Sequence, residues 1–222
     1  MAQTTIANCS NSSSSIIYSE NEDFLHNFDF SSIADLQQVH QEKTLIVLGT
    51  IKQVCAEREW YCFTCIRCQQ KVVKQILIHH DQSQDKEVFY CNTSSYINKV
   101  IYVVHSFKIT IIVKDITGSV SLALYDSDAK KLIRKNAQEL VHEFYKVGNN
   151  EIYPSALNIL LKKKMAFKIQ ITLDNLNNKT EYYAISRITS NNTIIDELEK
   201  IMKMDRVKFF TLNATIIIVI DS

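Results

Sequence analysis

The chain of 222 residues is 46% hydrophobic and 22% charged, the make-up of a globular protein long enough for one large domain or two small ones. With 3 glycines and 1 proline, and with neither GxGxxG nor a GxxxxGKS/T loop, it excludes cofactor sites built on glycine. Its net charge of +1 conceals an asymmetry: residues 1–59 carry 3 Lys+Arg against 8 Asp+Glu, residues 60–190 carry 18 against 11, so the middle of the chain suits a polyanion.

Taken in order, the N-terminal MAQTTIANCSNSSSSIIYS has no basic start and no continuous apolar run, and is not read as a secretory signal. Residues 1–32 are polar and serine-rich and are expected to be disordered. SSIADLQQVH begins a short helix with Ser31 or Ser32 as cap, and TLIVLGTIKQV, 44–54, reads as a first buried strand. FKITIIVKD, 107–115, is a second strand, DITG a turn in which Gly118 supplies the tolerant backbone, and SVSLALYD, 119–126, a third strand with Val120, Leu122 and Leu124 on one face and Ser121, Ala123 and Tyr125 on the other. One helix is predicted from Ser127 or Asp128 to about Phe144, and a shorter one from Pro154 through Leu161. MAFKIQITL, 165–173, and EYYAISRI, 181–188, complete five strands, joined by the loop DNLNNKT.

Five strands with a helix between the third and fourth is the order of an OB barrel, assigned here to residues 33–190. Residues 191–222 make a C-terminal extension. In it TIIDELEKIMKM sets Ile194, Ile195, Leu198, Ile201 and Met202 on one helical stripe with Thr193 as cap. The apolar FFTLNATIIIVI, 209–220, is shorter than the roughly 20 residues that cross a bilayer as a helix, so no membrane partner is expected.

An insertion, 59–106, separates the first two strands. It is too long for a plain loop and too poor in periodicity for a core of its own, which calls for an internal staple. WYCFTCIRCQQKVV supplies one: Cys62, Cys65 and Cys68 recur at metal-knuckle spacing, and Cys65-x2-Cys68 followed by Cys91-x2-Ser94 has the layout of a zinc ribbon with serine in the last place. Cys62, His79 or His80 in the insertion, or His105 just beyond it, are the alternatives for the fourth ligand; a set of ordinary reduced thiols is the other reading.

WYCFTCIRCQQKV, FYC, FKITIIVKDITGSVSLALYDSDAKKLIRKNAQEL, YPSALNILLKKKMAFKIQI and YYAISRI together resemble the C-terminal OB domain of the large subunit of replication protein A, in a plant-like single-domain version, over about residues 33–190. The resemblance implies a mainly β fold with helices: a five-stranded OB-fold barrel with a zinc-ribbon-like insertion between strands 1 and 2. It implies single-stranded DNA binding, a role in DNA replication, repair or recombination in the nucleus, a Zn2+ ion, and no enzymatic activity. By position its metal ligands are Cys65, Cys68, Cys91 and the place held by Ser94. The other OB domains of that family's full-length chain are missing from this sequence.

For the binding face, period-two alternation sends Phe107, Ile109, Ile111 and Val113 inward and Lys108, Thr110, Ile112 and Lys114 outward. Lys108, Lys114 and Tyr125 are the first candidates, with Lys179 from the loop before the last strand. Trp60, Arg67, Lys71 and Lys74 add a second set from the insertion, Trp60 either stacking a base or packing under the metal site. Scattered histidines and the absence of GxSxG or of a deaminase HxE with PCxxC argue against an enzyme. The competing reading is an assembly subunit that meets other replication protein A subunits through the C-terminal helix.

Overall fold

The computed structural model describes residues 19–55, 60–77, 86–93, 100–146 and 151–204. Its strands are β1 Asp29–Phe30, β2 Lys43–Val54, β3 Tyr61–Cys65, β4 Val72–Leu77, β5 Lys86–Cys91, β6 Val103–Lys114, β7 Ser119–Tyr125, β8 Lys164–Ile171 and β9 Tyr183–Thr189. Its helices are α1 Asp126–Ile133, α2 Ala137–Lys146 and α3 Leu173–Leu176, with α4 at 192–204. Seven strands form one sheet in the order β1-β2-β8-β9-β7-β6-β3, and an additional β2–β6 pairing closes the middle five into a barrel. β4 and β5 form a separate antiparallel pair.

Closure explains one of the three glycines. A Cβ on Gly49 would lie 2.4 Å from Val113 Cγ1 and 3.2 Å from the Lys114 carbonyl oxygen, so the two strands meet where only hydrogen fits. Inside, Phe107, Ile109, Ile111 and Val113 are at most 1% exposed, as their alternation predicts. The opposite face is not uniformly solvated, because Ser106 and Thr110 are buried as well. In β7, Ala123 is fully buried alongside Leu122 and Leu124, so the expected polar face at that position is covered.

By contact the described residues fall into two compact units, one of residues 54–110 and 123–160, the other of 111–122 with the stretches before 54 and after 160. In the second unit the hydrophobic run of β2 has two sides to fill. Ile46 and Leu48, with Ala166 of β8, join Phe24 and the stripe Ile194, Ile195 and Leu198 of α4 in one buried cluster, flanked by Leu25, Phe28, Phe30, Ile201 and Met202. A strand covered on both faces reads as continuous rather than alternating. The side chain of Asn191, rather than Thr193, caps α4, accepting the Thr193 N–H at 3.0 Å.

The expectation of disorder through residue 32 changes accordingly. Residues 1–18 lie outside the described residues; Glu22–His26 form a helical turn, and β1 pairs in parallel with β2, Asp29 opposite Leu45. Asp23 is 2% exposed and receives hydrogen bonds from Lys168 Nζ at 2.7 Å and Arg187 Nη1 at 2.6 Å. Lys168 Nζ also sits 3.7 Å from the centre of the Phe28 ring. This acidic segment is held both by these two cations and by Phe24, buried in the cluster with Ile46, Leu48 and α4.

The turn between β6 and β7 rests on the Asp115 carboxylate, which accepts the Thr117 and Gly118 N–H groups at 2.6 and 2.9 Å and, with its other oxygen, the Ile33 N–H at 2.9 Å. Gly118 adopts no left-handed φ there. The single helix predicted after β7 is two. Arg134 takes φ 60° at the end of α1, and Asn136 with Glu139 forms a reciprocal cap that starts α2. The segment opened by Pro154 is a 3-10 turn, Ser155–Leu160.

Candidate metal centre and nucleic-acid interface

Most of the 59–106 insertion belongs to the first unit, as does the start of β6, to which it is joined. β3 runs antiparallel to β6, Tyr61 opposite Phe107 and Cys65 opposite Val103, and the paired hydroxyls of Thr64 and Ser106, 2.6 Å apart, are buried between them. After Cys65 the chain turns back sharply: Gln69, at φ 57°, donates its N–H to the Cys65 carbonyl at 2.8 Å, and the Cys65 N–H reaches the Gln70 carbonyl at 2.9 Å. That reversal is what brings Cys68 back toward Cys65. β4 and β5 then place Cys91 directly across from Val72.

The Sγ atoms of Cys65, Cys68 and Cys91 all lie within 4.8 Å of one another, and those of Cys68 and Cys91 are 3.4 Å apart. Sulfurs around one tetrahedral zinc at about 2.3 Å are spaced by about 3.8 Å, so three donors of the right softness converge on one point and can hold a metal ion. Their surroundings are apolar: Cys65 and Cys91 are fully buried with Val72, against Phe63, Phe89, Ile101 and Val103.

The three thiols differ. Burial pushes Cys91 up. At Cys68 burial acts in the same direction, but hydrogen bonds from Thr93, the Gln70 backbone and the neighbouring thiols outweigh it and bring the group down to about 7. The three-sulfur geometry, rather than these shifts, is what suits a metal ion, since a ligating thiol must give up its proton.

Cys62 takes no part in the cluster. Three residues from Cys65 along an extended strand, it faces the other side, opposite Ser106. His79, His80 and Ser94 lie outside the described residues. His105 pairs its Nδ1 with Gln138 Oε1 and stands between the rings of Tyr61 and Phe63. Sequence reasoning missed Thr93, whose hydroxyl is 3.2 Å from Cys68 Sγ and accepts from Cys91 Sγ at 3.3 Å. A hydroxyl residue two places after a ligating cysteine was the available signal.

Of the nucleic-acid candidates in this unit, Arg67, Lys71 and Lys74 are exposed, and Lys108 and Tyr125 half-buried. Lys74 spends its charge on Glu87 across the hairpin at 2.6 Å. Trp60 is 5% exposed, packed against the rings of Tyr61, Phe107 and Phe144; it is a core residue and offers no face to a base. Among the described residues of the insertion the exposed aromatic is Tyr102, 86% exposed, whose carbonyl accepts the Ile66 N–H beside Arg67. It was hidden in the apolar run VIYVV, where Ile101 and Val103 pack on the cysteine core and alternation turns Tyr102 away from it. In the second unit Lys114 and Lys179 are exposed, Lys179 with Asp174 at 3.8 Å.

A closed five-stranded barrel with a cysteine-bearing finger between its first two strands defines an OB protein of the finger-inserted class. A model of the replication factor-A C terminal domain matches residues 45–201, and this chain belongs to that family. Among solved structures, a chain of a replication protein A heterotrimer bound to ssDNA aligns with a TM-score of 0.53 at 17% identity, over 80% of this chain and 40% of that one. A chain of yeast RPA bound to ssDNA aligns at a TM-score of 0.49 and 18% identity, over 78% of this chain and 98% of that one. This chain therefore spans less than half the length of the first of these, and the likeness is one of fold. No curated protein sequence gives a significant match. Among the described residues no helix is long and apolar enough to cross a membrane.

Proposed function

We propose that this chain binds single-stranded DNA without catalysing a reaction on it, as a replication protein A-like module serving DNA replication, repair or recombination in the nucleus. The observation that carries the reading is the family match across the closed barrel and its finger. It is supported by exposed cations and an aromatic side chain of the kind that follow phosphates and stack bases: Arg67, Lys71 and Tyr102 in one unit, with Lys108 and Tyr125 half-buried, and Lys114 and Lys179 in the other. Lys74 contributes less, being neutralised by Glu87. Zn2+ is the ion proposed for Cys65, Cys68 and Cys91. It would fix the finger that carries Arg67, Lys71 and Tyr102, and its fourth ligand comes from outside the three-sulfur set.

Other replication protein A subunits are proposed partners through α4, but the buried stripe Ile194, Ile195 and Leu198 already packs on this chain's own strands and on Phe24. DNA binding is therefore favoured over assembly. Fluorescence anisotropy with labelled oligo-dT tests the reading: the expected result is micromolar or tighter binding that weakens linearly in log salt, with Lys71→Glu lowering affinity and flattening the slope by about 1. No binding at low salt would overturn it.

A further inference from the structure

Three sulfurs leave one corner of a tetrahedron to be filled, and a hydroxyl stands beside it. β5 ends at Cys91, and Thr93, two residues further on, returns to the side of the chain that carries the Cys91 thiol. Thr93 Oγ1 lies 3.2 Å from Cys68 Sγ and accepts the Cys91 thiol proton at 3.3 Å. The Thr93 N–H is directed at the Cys91 sulfur as well, so the amide and the hydroxyl of one residue face the same atom. Cys62 and His105, the described alternatives for this corner, are not part of the cluster.

The distances fit a fourth corner. Around one tetrahedral zinc, with Zn–S of about 2.3 Å and Zn–O of about 2.0–2.2 Å, two sulfurs stand about 3.8 Å apart and a sulfur and an oxygen about 3.6 Å. Cys68 and Cys91 are 3.4 Å apart, and the hydroxyl is 3.2 and 3.3 Å from them. Both kinds of distance fall short of the tetrahedral value by about 0.3–0.4 Å. Groups joined by hydrogen bonds draw in by that much relative to groups spread around an ion. Cys65 Sγ, within 4.8 Å of the other two sulfurs, completes the face.

The hydrogen bonding also prepares the oxygen. Because Thr93 Oγ1 accepts from the Cys91 thiol, it has a lone pair aimed at the sulfurs. A ligating Cys91 gives up that proton, and the lone pair that received it is left facing whatever the sulfurs hold. A neutral oxygen is an ordinary fourth ligand of zinc, as the water of catalytic sites shows. Burial is graded in the same sense: Cys65 and Cys91 are fully buried while Cys68 and Thr93 are half-buried. The corner with the hydroxyl is therefore the one nearest solvent.

We propose that Thr93 Oγ1 is the fourth ligand of the finger's metal site, which then consists of three sulfurs and one hydroxyl oxygen. The inference rests on the Zn2+ reading and moves the fourth place from Ser94, where position put it, to its neighbour. Such a set takes a divalent ion of borderline softness, holds it less tightly than four thiolates do and exchanges it from the open corner.

The test titrates Co2+ into the metal-free full chain as wild type, Thr93→Val, Thr93→Ser, Thr93→Cys and Ser94→Ala. The near-ultraviolet and visible spectra are read, with Zn2+ competition for affinity and a thermal melt of each protein. The expected wild-type spectrum has tetrahedral cobalt bands and charge-transfer absorption from three thiolates. Thr93→Val should weaken Zn2+ binding by about tenfold or more, while Thr93→Ser and Ser94→Ala stay near wild type. Thr93→Cys should bind more tightly, its charge-transfer absorption raised by about a third as a fourth thiolate joins three. A folding defect cannot produce that gain, so the test stays decisive if Thr93→Val melts early. Wild-type spectra and affinities in both Thr93→Val and Thr93→Cys would overturn the assignment while the Zn2+ reading stands. So would a tenfold loss in Ser94→Ala with none in Thr93→Val. A wild type that takes up neither Co2+ nor Zn2+ would overturn the Zn2+ reading itself, and the assignment with it.

Discussion

The barrel and the finger solve the same problem with different means. Strands β2, β6, β7, β8 and β9 bury side chains such as Val47, Phe107, Ile109, Ile111, Leu122 and Phe167, each at most 1% exposed, and burial of that kind contributes about 1.5–3 kcal/mol per large side chain. The finger's own buried cluster is Cys65, Val72 and Cys91. Two of those three residues are thiols and the apolar side chains around them, Phe63, Phe89, Ile101 and Val103, are only partly buried, so the apolar surface removed from water is smaller than in the barrel. A two-stranded pair is marginal by itself in water. Hydrophobic area stabilises the barrel, and the metal ion proposed for the three sulfurs would stabilise the finger.

The largest effect that could break this contrast is at the sulfurs. A structural zinc contributes on the order of 10–16 kcal/mol to a site of its class, far beyond any single barrel contact. Cys91→Ser, or chelation of the wild type, should release bound metal as measured by elemental analysis. It should also open residues 60–103 to limited proteolysis, with the main melting transition of the barrel little changed. Wild-type protein that is metal-free and still protease-resistant would show that the small cysteine core suffices, and the contrast would fail.

Next in size is Phe24→Ala. It removes a ring that is 1% exposed against Ile46, Leu48 and the α4 stripe, and it should lower stability by about 3–5 kcal/mol in urea unfolding. A loss below about 1 kcal/mol would mean that the N-terminal segment merely rests on the barrel, which would sharpen the contrast by excluding it from the core.

The smallest expected effect is at Asp23. Burial opposes its charge, but the hydrogen bonds from Lys168 and Arg187 outweigh this and hold its carboxyl below the ordinary carboxylate value. A folded value lower than the unfolded one gives stability that is complete above about pH 4 and is lost as pH falls through the folded value. Asp23→Asn should therefore cost about 2 kcal/mol at pH 7, less than a fully buried pair because the Arg187 side chain is 41% exposed. The gap between variant and wild type should narrow only below about pH 4, and a gap that persists at acid pH would assign the effect to packing rather than charge.

Much of this was legible because local signals and the fold agree. The five barrel strands, the Asp115 turn and the cysteine spacing were all read from short stretches, since period-two alternation, a turn carboxylate and a knuckle depend on neighbours in sequence. The readings that short stretches left open depended on neighbours in space. Trp60 carries the same letters whether it stacks a base or fills a core; only the approach of Phe107 and Phe144 decided. Cys62 sits at the right spacing for a knuckle, but the extended path of β3 turns it away from Cys65. The segment around Asp23 and Phe24 looks disordered by composition, and packs because β8 and β9 present Lys168 and Arg187 to Asp23 while Ile46, Leu48 and α4 cover Phe24. Thr93 and Tyr102 had no motif to announce them.

The sequence by itself determined the order of the five barrel strands, the place of the finger in that order and the spacing of the three cysteines that the fold brings together, because periodicity, caps and CxxC spacing are properties of a few consecutive residues. Tertiary structure decided which face of each strand is covered, which cysteine is left out of the sulfur cluster and, among the described residues of the finger, which aromatic reaches solvent. Those outcomes come from surfaces meeting across tens of residues of chain, where the free energy of burial depends on what the other side offers.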